Sequence, residues 1–212
     1  PRFFKTGKGE YGEGDQFIGV VVPNLRIVAK KHFDADFDTL RELLASPYHE
    51  YRLTALLALT YRYAKLKDHA SRETCVNFYV SQVDAINNWD LVDLSCYKIL
   101  GHWLFDKDKQ LLYDWAKENH LWKQRIAMIS CMHFVKQGEF KDALAIADLL
   151  QHHPHDLIHK AVGWILREIG KEDEQLLVDY LTPRYKEMPR TMLRYAIERF
   201  EEGKRKAVLN ST

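Results

Sequence analysis

The chain has 212 residues, 46% of them hydrophobic and 29% charged. That is enough apolar content for one domain with a substantial core, and it excludes the disordered class. The formal net charge is only +1, so the chain is not uniformly basic, and any electrostatic footprint must come from how charges are arranged on faces. No apolar run is long enough to span a bilayer and no secretory signal is visible. Cys75, Cys96 and Cys131 form no C-x-x-C pair, which reads as buried thiols in a reducing, bacterial cytoplasm.

Residues 1–20 read as a Gly-rich loop region. Gly7 to Gly12 spells G-x-G-x-x-G. No strand precedes it and no βαβ pattern follows, so it reads as a loop and not as a dinucleotide fingerprint. A functional version of that loop would be a backbone that approaches phosphate closely. Beyond it, apolar residues recur at three- and four-residue spacing nearly throughout. This predicts helices over about 23–32, 36–46, 48–65, 70–87, 89–105, 107–118, 121–137, 140–151, 155–170, 172–182 and 189–202. Pro23, Ser46-Pro47 and Pro189 supply start signals. The connectors are short, which implies antiparallel neighbours and hence helical hairpins. Residues 203–212 read as a frayed basic tail carrying Lys204, Arg205 and Lys206. The expected organisation is a single all-α domain over 1–212, a HEAT-like solenoid of antiparallel helix pairs with a concave groove for DNA.

One helix-start pattern repeats. Tyr51-Arg52-Leu53-Thr54, Val92-Asp93-Leu94-Ser95, Gln124-Arg125-Ile126-Ala127, His159-Lys160-Ala161-Val162 and Leu193-Arg194-Tyr195-Ala196 align, at about the spacing of a HEAT-like array. The second position is a cation in Arg52, Arg125, Lys160 and Arg194 and a carboxylate in Asp93. A row of cations suits a polyanion. A carboxylate in that row would repel phosphate and needs another reason to be there.

Tryptophans accompany this register. Trp89 and Asp93 lie one helical turn apart, Trp122 and Arg125 three residues apart, and Lys160, Trp164 and Arg167 fall along one stripe. Singly, each Trp reads more readily as core than as site; their shared register points to a groove. Asp90 reads as an N-terminal helix charge. Gly163 lies inside a helix, where glycine costs about 1 kcal/mol relative to alanine. It marks a close approach of another backbone or a ligand, helix packing being the commoner cause.

A carboxylate among indoles and cations fits one reaction on DNA. A purine alkylated at N7 or N3 is cationic and departs neutral, so it needs no general acid. What remains is to stabilise an oxocarbenium-like sugar and to place a water, and one Asp can do both. Indole faces attract the cationic nucleotide by about 0.5–2 kcal/mol per contact, and Arg and Lys hold flanking phosphates. No metal or other cofactor is required. The histidines at 152, 153, 155 and 159 surround Pro154 without a Cys partner at ligand spacing, and read as an inter-helix loop and not as a metal site.

Several segments together resemble the AlkD-type DNA alkylation repair enzymes, a family of HEAT-like-repeat alkylpurine DNA glycosylases. They are FFKTGKGEYGEGDQFIGV from Phe3, VPNLR from Val22, NWDLVD from Asn88, LWKQR from Leu121 and KAVGWILRE from Lys160. The resemblance implies that Asp93 is the catalytic carboxylate, that Trp89 and Trp164 flank the lesion nucleotide, and that Arg125 binds DNA beside it. It implies excision of 3-methyladenine and 7-methylguanine from duplex DNA without burying the base in a deep pocket. Lys160, Arg167, Arg52, Arg194 and Arg26 are the candidates for phosphate contacts. Asn88 stands where related sequences often have a second aromatic residue, which bears on lesion preference.

The expectation is thus a monofunctional glycosylase of base excision repair, working on double-stranded DNA as a monomer with no obligate protein partner. The rivals are a non-catalytic HEAT-repeat scaffold for damaged or branched DNA, and a solenoid that binds protein or RNA.

Overall fold

The computed structural model describes residues 4–210. Phe3 of the N-terminal motif and the last two residues of the tail lie outside them. Every regular element among the described residues is helical, apart from an isolated bridge between Gln16 and Tyr48. The all-α reading holds. No helix among the described residues is long and apolar enough to cross a membrane. The chain divides into two compact units, Pro1–Trp103 and Leu104–Thr212.

The first unit is organised around α3 (His49–Lys65). Leu53, Leu56, Leu57 and Leu59 are fully buried along it, each stabilising by roughly 1.5–3 kcal/mol relative to exposure. A helix apolar on most sides belongs inside a core. Accordingly α1 (Val22–Lys31) packs against α3 with Leu25 and Ala29 turned inward, and α2 (Phe37–Leu44) does so with Leu40 and Leu44. Asp36 opens α2 by accepting the Thr39 amide at 2.7 Å, and Asp68 opens α4 (His69–Ser81) by accepting that of Ser71 at 2.8 Å. These caps satisfy amides that a helix start leaves without partners.

Two helices expected as continuous are broken. The one predicted over 70–87 ends at Ser81 and continues as a 3-10 turn, Val83–Ala85. The one predicted over 89–105 becomes α5 (Trp89–Asp93), a turn, a π-helical turn (Tyr97–Gly101) and the short α6 (His102–Leu104). Ser95 supplies a reason. Its hydroxyl donates back to Leu91 O at 2.6 Å and also meets the Tyr79 hydroxyl at 3.1 Å. Back-bonding serines of this kind bend helices, and π-turns recur where a helix is adapted to a site.

In the second unit α8 (Leu121–Val135) is the interior helix, with α7 (Gln110–Lys117), α9 (Lys141–Leu150) and α10 (Asp156–Glu172) packed on it. In turn α10 carries α11 (Glu174–Leu181) and α12 (Arg190–Ala196). Gly138 takes φ +78° in the turn after α8, a conformation a side chain would strain. All three cysteines are buried and outside any disulfide. The basic tail expected to fray is instead helix α13 (Glu202–Asn210). Glu201 accepts the Gly203 amide at 3.0 Å, and Lys206 pairs with Glu202 one turn away at 2.6 Å; such local pairs support an exposed helix.

Candidate functional site

Trp89 and Asp93 both lie on α5. Asn88 begins that helix in extended conformation, accepting the Trp89 amide on Oδ1 at 2.8 Å. Its Nδ2 donates to Asp15 at 3.1 Å, and the residue is fully buried. The departure from an aromatic residue at this position is thus a helix cap. It ties α5 to the N-terminal segment. Trp89 and Asp93 are partly exposed, whereas Leu91 and Val92 between them are in the core. The Trp89 indole stacks on Phe4, with centroids 5.3 Å apart, and Phe4 stacks on Phe17 at 4.9 Å.

Asp90, read from sequence as a helix-terminal charge, is buried instead and lies 2.8 Å from Nε2 of His49. On its other side His49 faces Asp15, with Nδ1 3.6 Å from Oδ2. Asp15 accepts from Arg52 at 2.6 Å. Two carboxylates and two cations therefore neutralise one another inside the first unit. Burial disfavours the imidazolium of His49, but hydrogen bonding and charge from Asp15 and Asp90 outweigh it and raise its pKa to about 9. Burial likewise acts to raise the Asp15 pKa, and bonds from His49, Arg52 and Asn88 bring it below the usual carboxylate value.

This cluster corrects the reading of Arg52. Its side chain is buried, and its guanidinium is held by Asp15 and by Ser46 O at 3.2 Å. The repeat register places it correctly on a helix start but turns it inward, so it is an internal ion-pair partner and not a phosphate contact. Arg26, on α1, is partly exposed, and its charge reaches Tyr97 in the π-turn that follows α5.

The Gly-rich loop is a set of tight turns. Glu10 accepts the Gly7 amide at 2.8 Å, Glu13 accepts the Gly9 amide at 2.7 Å, and Gly12 donates to Lys5 O at 2.9 Å. These three glycine amides are taken by the loop's own carboxylates and carbonyl.

In the second unit Arg125 is buried on α8 and donates to Leu157 O in the first turn of α10. Trp122 is core. On α10, Lys160 pairs with Asp156 at 2.6 Å and Trp164 is partly exposed. Arg167 is engaged by Glu198 and lies 3.7 Å from Glu168. Arg194, on α12, is exposed. Gly163 is explained by packing: a Cβ there would lie 2.5 Å from Met192 O and from Tyr195 Cβ. His152 and His153 lie in the turn between α9 and α10, His155 caps α10 through the Leu157 amide at 3.1 Å, and His159, on α10, meets His153 O at 2.5 Å.

Asp15, His49, Phe4 and Phe17 were not singled out from sequence. The available signal was Asp90: a carboxylate directly before the apolar pair Leu91-Val92 is carried toward the core with them and requires an internal cation, which is the histidine opening α3.

Residues 1–200 match the family described as "DNA alkylation repair enzyme". No curated protein matches the chain. A solved structure described as a predicted DNA alkylation repair enzyme from Enterococcus faecalis is similar in fold. Its TM-score is 0.69 at 14% identity, over 91% of this chain and 92% of that one.

Proposed function

The chain belongs to the DNA alkylation repair enzyme family, and from that premise we propose that it is a monofunctional DNA glycosylase. Its substrates are cationic alkylated purines, 3-methyladenine and 7-methylguanine, in duplex DNA. The observation that carries the reading is the pairing of Trp89 with Asp93 on α5, a partly exposed indole and carboxylate on a short helix whose other residues are anchored inward.

The chemistry follows from charge. As the glycosidic bond lengthens, the positive charge of the alkylated base moves to the sugar, and the base leaves neutral. A carboxylate beside C1′ stabilises that developing cation and accepts hydrogen bonding from the attacking water. The Trp89 face attracts the cationic nucleotide while it is intact and loses that attraction when the neutral base leaves. On the second unit, the partly exposed Trp164 is proposed on the DNA, and Arg125, buried and donating to Leu157 O, would reach the DNA only by leaving that carbonyl. Lys160, Arg194 and Arg167 are proposed on phosphates, with Arg26 from the first unit. For Lys160 and Arg167 a phosphate would replace the carboxylate each now meets. The protein is proposed to act without a cofactor or protein partner.

Incubation with methylated duplex DNA tests this. The proposal expects free 7-methylguanine and 3-methyladenine, with abasic sites left in an otherwise uncut strand. Tight, salt-sensitive DNA binding without base release would replace it with the scaffold reading.

A further inference from the structure

The buried ion cluster of the first unit has a geometry that bears on the reaction, given the glycosylase reading above. Asp90 lies next to Trp89 and three residues before Asp93 on a helix of only five residues. So short a helix has almost no internal hydrogen bonding to hold its orientation. Its direction is set from outside, and the contacts that set it are specific. The Asp90 carboxylate meets His49 Nε2 at 2.8 Å, the Asn88 cap is bonded to Asp15, and Asp15 is bonded to Arg52 on α3. Phe4 lies against both rings, 4.8 Å from His49 and 5.3 Å from Trp89, and Phe17 covers the imidazole at 4.9 Å.

We infer that His49 is a positioning residue for the candidate catalytic helix: by bridging Asp90 of α5 and Asp15 of the N-terminal segment, it fixes the direction in which Trp89 and Asp93 are presented. It is 2% exposed, so it acts through Asp90 and Phe4 and does not touch substrate. A buried cluster of this kind is weak evidence for stability, since desolvating four charges offsets most of their attraction. Fixed geometry is what it supplies. The groups facing His49 are Asp15 from the N-terminal segment, Asp90 from α5, and the rings of Phe4 and Phe17; Arg52 of α3 compensates the second carboxylate.

The two ring nitrogens make the inference testable. Nε2 makes the 2.8 Å contact to Asp90, whereas Nδ1 makes only a longer contact to Asp15, at 3.6 Å. A glutamine amide nitrogen falls near the position of Nε2, and an asparagine amide nitrogen near that of Nδ1. His49→Gln therefore keeps the link to α5 and His49→Asn does not. The experiment uses the full chain labelled with 5-fluorotryptophan, with the Trp89 resonance assigned through Trp89→Phe. It records that resonance and the single-turnover release of 7-methylguanine at saturating enzyme.

His49→Asn and His49→Ala are expected to slow release by about tenfold to 100-fold, as small misplacements of reacting groups do. Their DNA affinity is expected to be unchanged and the Trp89 resonance displaced. His49→Gln is expected to stay within about threefold of wild type in rate, because the link to Asp90 is kept. Equal losses in the Gln and Asn variants, or wild-type rates and an unmoved resonance in His49→Asn, would overturn the assignment. If His49→Ala does not fold, the Asn and Gln pair alone decides. If the wild-type protein releases no purine, the glycosylase reading fails separately. The resonance then decides the positioning role: displacement in Asn but not in Gln supports it, and no displacement in either rejects it.

Discussion

His49 and Asp90 form a buried ion pair, 2.8 Å from Nε2 to Oδ2, between the first turn of α3 and the helix that carries Trp89 and Asp93. With Asp15 and Arg52 it makes a charge-balanced cluster beneath the candidate site. Its polar atoms are inside the unit, and the residues it supports face outward in part.

The pH dependence of stability should carry the sign of His49. Its folded pKa, about 9, lies above the ordinary value of 6.5, so protonation favours the folded state. That contribution is complete below pH 6.5 and disappears as pH rises through about 9. Melting temperature measured from neutral pH to beyond that value should fall more steeply for wild type than for His49→Gln. Parallel curves would mean the imidazole is not charged in the folded protein. Asp15 acts oppositely, its contribution being lost as pH falls through its lowered pKa.

Arg52→Ala should destabilise the protein by about 3–5 kcal/mol, because it leaves the Asp15 carboxylate buried against one fewer cation. Denaturant unfolding measures this. The salt dependence of DNA binding should be unchanged in the same variant if it remains folded, since the guanidinium faces inward. A reduced salt slope would restore Arg52 as a phosphate contact.

Arg194→Ala should behave in the reverse way. Its side chain is exposed on α12, so stability should change by less than about 0.5 kcal/mol. The slope of log affinity against log salt should fall by about 0.9 if one phosphate contact is lost. Fluorescence anisotropy on duplex DNA at several salt concentrations gives that slope, and an unaltered value would remove Arg194 from the proposed interface.

Gly163→Ala places a methyl group 2.5 Å from Met192 O and Tyr195 Cβ. Since one obstacle is backbone, α10 and α12 must separate, at a cost of about 1–3 kcal/mol or more. A melting temperature equal to wild type would show that the helices yield without penalty.

Much of the architecture was legible because apolar spacing and short connectors report directly on packed helices. Leu53, Ile126 and Leu166 lie in helices predicted from that spacing, and all three are buried. The breaks after Ser81 and Asp93 were not legible. The second goes with the Ser95 hydroxyl finding Leu91 O and Tyr79, contacts that periodicity does not encode. The repeat register singled out Asp93 and Arg52 alike but not the inward turn of Arg52, since register gives a position along a helix and not what that side chain meets. Asp15 meets Arg52 from 37 positions away, and nothing local to either residue signals the other. The N-terminal segment looked like a plain loop because glycines dominate it, while its structural work is done by Phe4, Asp15 and Phe17.

The most direct measurement is release of 7-methylguanine and 3-methyladenine from methylated duplex DNA by wild type and Asp93→Asn side by side, with DNA affinity measured for both. Loss of a carboxylate that stabilises the sugar cation and orients water should slow release by about 100-fold or more. DNA affinity should be retained or increased, because a negative charge near phosphate is removed. Release by Asp93→Asn at the wild-type rate would contradict the account.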